Sequence, residues 1–315
     1  MEPPQAASIV DPYRLGLVSP SVHYFALVAR LGSIRRAAEA LNVAPSSISR
    51  VIKNMEQELG TLLFERVRQR LKLTSAGELM LYHARLSVTE LRRACSSIDD
   101  LHGLHRGSVS VATIESASRS LIPSVLEAFW LRHPDITADF RVAGSQEVCD
   151  AVTAGDCELG VAFDVRPARN LRRVATALFP LGVLARPGSS FARKKELKLS
   201  DLSGERLILS DSSLMLGLSV EEAFSRSLID VFPRSRTNSI GLMVEMAKMD
   251  LGTVLQTRVG IEKEIARGEL LFVPLRDPKI GQRRLMLLSR PEKELSGAGA
   301  AFLTLLAQAI EKLKI

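Results

Sequence analysis

The chain has 315 residues, of which 46% are hydrophobic and 24% charged, a formal net charge of +7 and three cysteines. That length suggests two or three domains, and no run approaches the roughly 20 uninterrupted apolar residues of a membrane helix, so a cytoplasmic protein with no membrane partner is expected. Cys95, Cys149 and Cys157 form no CxxC pair, which argues against a disulfide framework and against a cysteine-ligated zinc site. Buried free thiols are the expectation, in preference to an oxidant-sensing pair.

Residues 1–19 are rich in proline and small residues, lack the basic start and apolar run of a secretory signal, and are expected to form a disordered extension. Three short helices follow within a domain expected at 20–77. The first runs from Ser21 to Leu31. The second starts after Gly32 with Ser33 as N-cap and repeats apolar residues at Ile34, Ala37, Ala38 and Leu41. The third begins at Pro45, buries Ile48, Val51, Ile52, Met55 and Leu59, and stops at Gly60. Its opposite stripe carries Ser46, Arg50, Lys53, Asn54 and Gln57.

A bend this tight, bracing one short helix against a second with a polar outer face, suits insertion into a major groove. Ser46, Ser47 and Arg50 are placed for base edges, Arg50 with bidentate reach toward guanine, and Ser49 lies nearer the buried side. Arg35, Arg36, Lys53 and Arg66 suit phosphate, with Ser33 beside them at the start of the second helix. After Gly60, Arg66, Arg68, Arg70 and Lys72 alternate with Val67, Gln69, Leu71 and Leu73, a strand pattern that predicts a hairpin with all four cations on one face. Such a basic wing adds a salt-dependent attraction to the DNA backbone or minor groove.

Thr74 or Ser75 then caps a long helix whose apolar residues Leu79, Tyr82, Leu86, Leu91, Ala94, Ile98 and Leu101 recur by threes and fours. About 27 residues at 1.5 Å each reach roughly 40 Å, more than so small a head can cover, so 78–103 is expected to pair with a second copy of the chain. Residues 104–107 complete a hinge.

Beyond it, strands and helices alternate, which predicts parallel sheets in two α/β lobes with a ligand cleft between them. Lobe I is expected at 108–165 and 271–315 and lobe II at 166–270. Hydroxyl-bearing helix starts follow the strands at Ser116 and Ser118, at Ser145, at Ser210, Ser212 and Ser213, and at Ser239, with Thr253 a weaker candidate; unpaired N–H groups there suit a small anion. No GxSxG elbow, HExxH or phosphate-binding GxxxxGK[ST] is present, and no metal or cofactor is expected. The choice left open is between a DNA-binding regulator and a small-molecule-binding or enzymatic α/β protein tethered to DNA by a basic head.

The run GSIRRAAEALNVAPSSISRVIKNMEQELGTLLFERVRQRLKLTSAG, from Gly32 to Gly77, resembles the winged helix-turn-helix of LysR-type transcriptional regulators. Gly32, Ser33, Ala37, Ala38, Leu41, Ser49, Ile52, Glu56, Leu59, Gly60, Leu63, Phe64, Arg66, Leu73, Thr74, Ala76 and Gly77 keep that family's register. Pro45 stands where many relatives carry glutamine. The resemblance implies an all-α winged helix-turn-helix head, a linker helix and an effector domain of two Rossmann-like lobes similar to periplasmic binding proteins. It further implies a homodimer or homotetramer joined through the linker helix, binding double-stranded promoter DNA and RNA polymerase, with a small-molecule effector such as a carboxylate.

Overall fold

The computed structural model describes residues 12–13, 15–67, 70–100, 107–229, 231, 233–277, 280–291 and 295–313, the side chains of 70, 96–97 and 99–100 excepted. They divide into two compact units, one comprising 1–107 with 154–156 and the other 108–153 with 157–315.

In the first unit, α1 (Pro20–Leu31), α2 (Ile34–Leu41) and α3 (Pro45–Leu59) each end on a left-handed residue, Gly32, Asn42 and Gly60. Asn42 is the informative one. At φ 54° it turns the chain so that Val43 N–H reaches back to Ala38 C=O at 3.0 Å, and α3 can start three residues later. Proline at the first position of α3 supplies the preset φ in place of a side-chain cap. The alanines of α2 let the helices close on one another, and Phe25, Val28, Ala37, Ala38, Ile48 and Ile52 form the centre of the core. Leu59, expected in that stripe, is instead 52% exposed, because the helix ends there and the chain leaves the core at Gly60.

A two-stranded hairpin, β1 (Phe64–Val67) and β2 (Arg70–Leu73), closes the head. Thr74 then caps α4 (Ser75–Asp100), its Oγ1 accepting from Gly77 N–H at 3.0 Å while donating to Leu62 C=O at 2.7 Å. Gly77 is forced by this closeness, since a Cβ there would lie 2.0 Å from Leu63 O. Along α4, Ala84, Val88 and Cys95 are buried, whereas Leu79, Tyr82 and Ile98 are exposed.

The expected disordered extension needs a partial correction. Residues 1–11 and 14 lie outside the described residues, but 12–13 and 15–19 form a turn, with Leu17 N–H on Pro12 C=O at 3.0 Å and the Tyr13 ring 4.3 Å from that of His23. Most of the expected hinge, 104–106, and Leu101 also lie outside the described residues.

The second unit contains β3 (Gly107–Thr113), α5 (Glu115–Arg119), α6 (Leu121–Trp130), β4 (Ile136–Val142), α7 (Ser145–Thr153), β5 (Leu159–Phe163), β6 (Arg172–Phe179), β7 (Gly182–Ala185) and β8 (Leu207–Ser210). It continues with α8 (Met215–Arg226), β9 (Ser235–Thr237), α9 (Ile240–Lys248), β10 (Thr253–Gln256), α10 (Glu262–Ala266), β11 (Leu271–Pro274), β12 (Arg283–Ser289) and α11 (Gly297–Lys312). One sheet has the order β4-β3-β5-β12-β6 and the other β9-β8-β10-β7-β11, so the two lobes repeat one plan. Parallel pairs β3–β5 and β8–β10 lie at the heart of each, and the next strand out, β12 or β7, is antiparallel because the chain enters it from the other lobe.

That plan corrects the expected lobe boundaries. Strand β6 is absent from the expected elements, and it pairs along its length with β12 in lobe I, while β11, expected in lobe I, pairs with β7 in lobe II. The chain therefore crosses between lobes twice, at Pro180–Leu181 and between Pro274 and Arg283, where Leu275 N–H bonds Leu181 C=O at 2.8 Å. In lobe I, α11 packs on α6 through Phe302 and Phe129, edge to face at 5.1 Å. Ser296 caps α11, and its own N–H is taken by Glu158 at 2.7 Å. Burial pushes the Glu158 carboxyl above its usual range despite that bond.

Candidate functional site

Two places gather polar groups. The first is the outer face of α3. Ile48 and Ile52 are sealed in the core, and the helical spacing then turns Ser46, Arg50, Lys53, Asn54 and Gln57 outward, all exposed. Ser47 and Ser49 are half-buried, so Ser49 sits toward the core side as its spacing implies. On α2, Arg35 and Arg36 are exposed. Arg35 pairs with Glu39 at 3.1 Å on a surface where such a bond is weak, and Arg36 holds Leu31 C=O through its guanidinium. Ser33 Oγ accepts from Arg36 N–H at 3.4 Å, a capping role.

Glu56 fixes the hairpin to this face. One oxygen of its carboxylate accepts from both Leu63 N–H, at 2.9 Å, and Phe64 N–H, at 3.2 Å, so α3 and β1 move together. The hairpin register overturns the expectation that its cations share one face. Val67 opposes Arg70, Arg66 opposes Leu71 and Glu65 opposes Lys72. Directly opposed residues lie on the same face, so with a two-residue turn the even positions of one strand match the odd positions of the other. Arg66 thus shares a face with Phe64 and Leu73, and Lys72 shares the other with Glu65. Arg68 lies outside the described residues, as does the side chain of Arg70.

The second place is a cavity of about 510 Å³ in the second unit, at the carboxyl ends of the central strands. Ile114 and Glu115 follow β3, Ala143 to Ser145 follow β4, Ser213 and Leu214 follow β8, Asn238 to Ile240 follow β9, and Gln256 and Thr257 end β10. Val142, Phe163, Met215 and Leu218 supply an apolar wall, and Arg283 enters from β12.

Of the expected ligand-binding hydroxyls, Ser116, Ser145, Ser213 and Ser239 line this cavity, and Ser118, Ser210, Ser212 and Thr253 do not. Ser118 is half-buried and donates to Glu115 C=O at 2.7 Å, within its own helix. Ser210 is buried at the end of β8, and Ser212 is exposed on the turn beyond. Thr253 begins β10, whereas the cavity opens where that strand ends. The residues that local pattern did not single out are Glu115, Glu147, Asn238, Gln256, Thr257 and Arg283. Position at or just past the carboxyl end of a strand is a signal for Glu115, Asn238 and Gln256–Thr257, but not for Glu147 or Arg283.

Charge is already committed around the cavity. Glu115 accepts from Ile240 and Gly241 N–H, both at 2.8 Å, and from Ser239 Oγ at 3.2 Å, so a lobe I carboxylate caps a lobe II helix. Beside it, Arg119 donates to Gly260 C=O at 2.9 Å and pairs with Glu264 at 2.7 Å. Arg283 meets Asp164 at 2.7 Å, in a contact too bent to be a hydrogen bond. Thr257 Oγ1 is buried without a hydrogen-bond partner. Among the described residues no cluster of His, Cys, Asp and Glu could hold a metal ion, and no helix is long and apolar enough to cross a membrane. Cys149 is buried, which pushes its thiol above the usual range and leaves little reactive thiolate.

The family model described as bacterial regulatory helix-turn-helix protein, lysR family, matches residues 21–78, and that of the LysR substrate binding domain matches 102–311. A probable RuBisCO transcriptional regulator from Synechocystis sp. is 26% identical over 283 residues, covering 88% of this chain and 81% of that protein. A full-length OxyR variant from Pseudomonas aeruginosa has a TM-score of 0.63 at 19% identity, covering 92% of this chain and 93% of that one. Full-length CbnR complexed with its target DNA has a TM-score of 0.61 at 21% identity, covering 92% and 98%. Both structural likenesses are of fold.

Proposed function

The chain belongs to the LysR family of DNA-binding transcriptional regulators, with an effector-binding domain and no enzymatic role, and from that premise we propose which residues do the work. Ser46, Ser47 and Arg50 read base edges from α3, while Ser33, Ser49, Arg35, Arg36, Lys53, Arg66, Arg68, Arg70 and Lys72 hold the backbone. The observation that carries this is the exposed polar face of α3 above a sealed Ile48–Ile52 stripe. Since Pro45 offers no side-chain amide, discrimination falls to its neighbours.

The cavity takes the small-molecule effector. One arrangement of the two lobes binds it more tightly, and the shift in population alters the spacing of paired heads on promoter DNA. The exposed Leu79, Tyr82 and Ile98 of α4 supply the contact between copies, in a homodimer or homotetramer that works in the cytoplasm and engages RNA polymerase. A carboxylate group of the effector would use the hydroxyl-bearing loops at Ser145 and Ser213.

Band-shift assays of the full chain against genomic fragments test the DNA reading. Wild type should select fragments at moderate salt, and Arg50→Ala should lose about 1–3 kcal/mol of discrimination at one base pair while keeping its affinity for random duplex. Selection unchanged by Arg50→Ala would remove Arg50 from the base contacts. Absence of any selective binding would reduce the head to a tether.

A further inference from the structure

The three longer helices that start at the cavity, α7, α8 and α9, are the places where an anionic ligand would find unpaired N–H groups. At α9 the helix's own first N–H groups are taken by a carboxylate of the chain, whereas the carboxylates near α7 and α8 bond N–H groups ahead of those helices. At α9, Glu115 takes the N–H groups of Ile240 and Gly241 and the Ser239 hydroxyl. At α7, Glu147 accepts from Gly144 N–H at 3.2 Å. In the turn ahead of α8, Asp211 accepts from Ser213 N–H at 2.9 Å and from its hydroxyl. The cavity's cation, Arg283, is matched by Asp164. Thr257 also lines the cavity, and its hydroxyl is buried without a hydrogen-bond partner.

We propose that the end of the effector facing α9 carries no carboxylate or phosphate: it is an uncharged or cationic group with hydroxyl or amino donors, joined to an apolar body. Its donors meet the remaining lone pairs of Glu115, and its apolar part lies on Phe163, Met215 and Leu218. A carboxylate brought to α9 would find its hydrogen-bond donors spent and a like charge in the position it needs. The inference rests on the cavity being the effector site. It differs from the carboxylate reading in stating that the chain supplies that anion itself.

Removing the internal carboxylate should create the anion site. Thermal unfolding of the full chain is followed in sodium acetate and in sodium chloride of equal ionic strength. Wild type should unfold at the same temperature in both, and Glu115→Ala, whose missing carboxylate acetate can replace, should gain about 3 °C in acetate. Should Glu115→Ala fail to fold, Glu115→Ser decides by the same comparison. Acetate stabilising wild type as much as the variant would overturn the proposal, and so would a folded variant indifferent to acetate. DNA binding does not enter this measurement, so failure to select promoter fragments would sink the regulator reading and leave this one standing.

Discussion

Replacing Glu56 by alanine tests whether the head is one rigid reading device. The substitution strands Leu63 N–H and Phe64 N–H, both at a buried turn and both bonded to the same Glu56 oxygen. A hydrogen bond to a charged acceptor contributes about 1.5–3 kcal/mol, and partial exposure discounts each of these to about 1–2 kcal/mol, so the pair is worth about 2–4 kcal/mol. That is a large part of the stability of a small domain, commonly about 5–15 kcal/mol. At 1.36 kcal/mol per decade, amide protection in α3 and the hairpin should fall roughly 30-fold to 1,000-fold. Hydrogen exchange read by mass spectrometry on the full chain localises the effect, with β10 in the other unit as internal control. Glu56→Gln keeps an oxygen in the same place and should lose far less. A Gln variant as labile as the Ala variant, or a loss shared equally by β10, would refute the reasoning that the acceptor atom joins α3 to β1.

Lys72→Ala should weaken binding to all duplexes alike and reduce the slope of log affinity against log salt by about 0.9, as read in a salt titration; an unchanged slope would place Lys72 away from phosphate. Ile98→Lys should lower the solution mass measured by light scattering, and a mass equal to wild type would show that this face of α4 is not the contact. Because burial raises the Glu158 carboxyl above its ordinary value of 4.5, the folded state binds its proton more tightly than the unfolded chain. The resulting stability is present below pH 4.5 and is lost as pH rises through the raised value, so Glu158→Gln should gain on wild type in melting temperature as pH increases across that window. A constant offset between the two melts would contradict it.

The bend between α2 and α3 was legible because Gly32, Pro45 and Gly60 act locally, on the backbone of their own residues. The phase of the hairpin was not. Alternation of Arg66, Arg68, Arg70 and Lys72 describes each strand alone, and only the pairing of Val67 with Arg70 decides which faces match. Strand β6 escaped notice because its inward positions include Ala175 and Ala177, small residues that hardly raise the alternating signal. The cavity's position was implied by strand order, whereas its occupancy was not. Glu115 meets Ile240 and Gly241 across 125 and 126 residues, and nothing in the local pattern of either segment records the other.

The double crossing between lobes limits how any signal can travel. A single tether would leave the lobes free to swivel about it as well as to fold. Here two segments join the lobes, and at their lobe II ends Leu181 and Leu275 are held together by a hydrogen bond that extends the β7–β11 ladder. Two strands of chain rather than one therefore restrain how the lobes can move about the cavity they share.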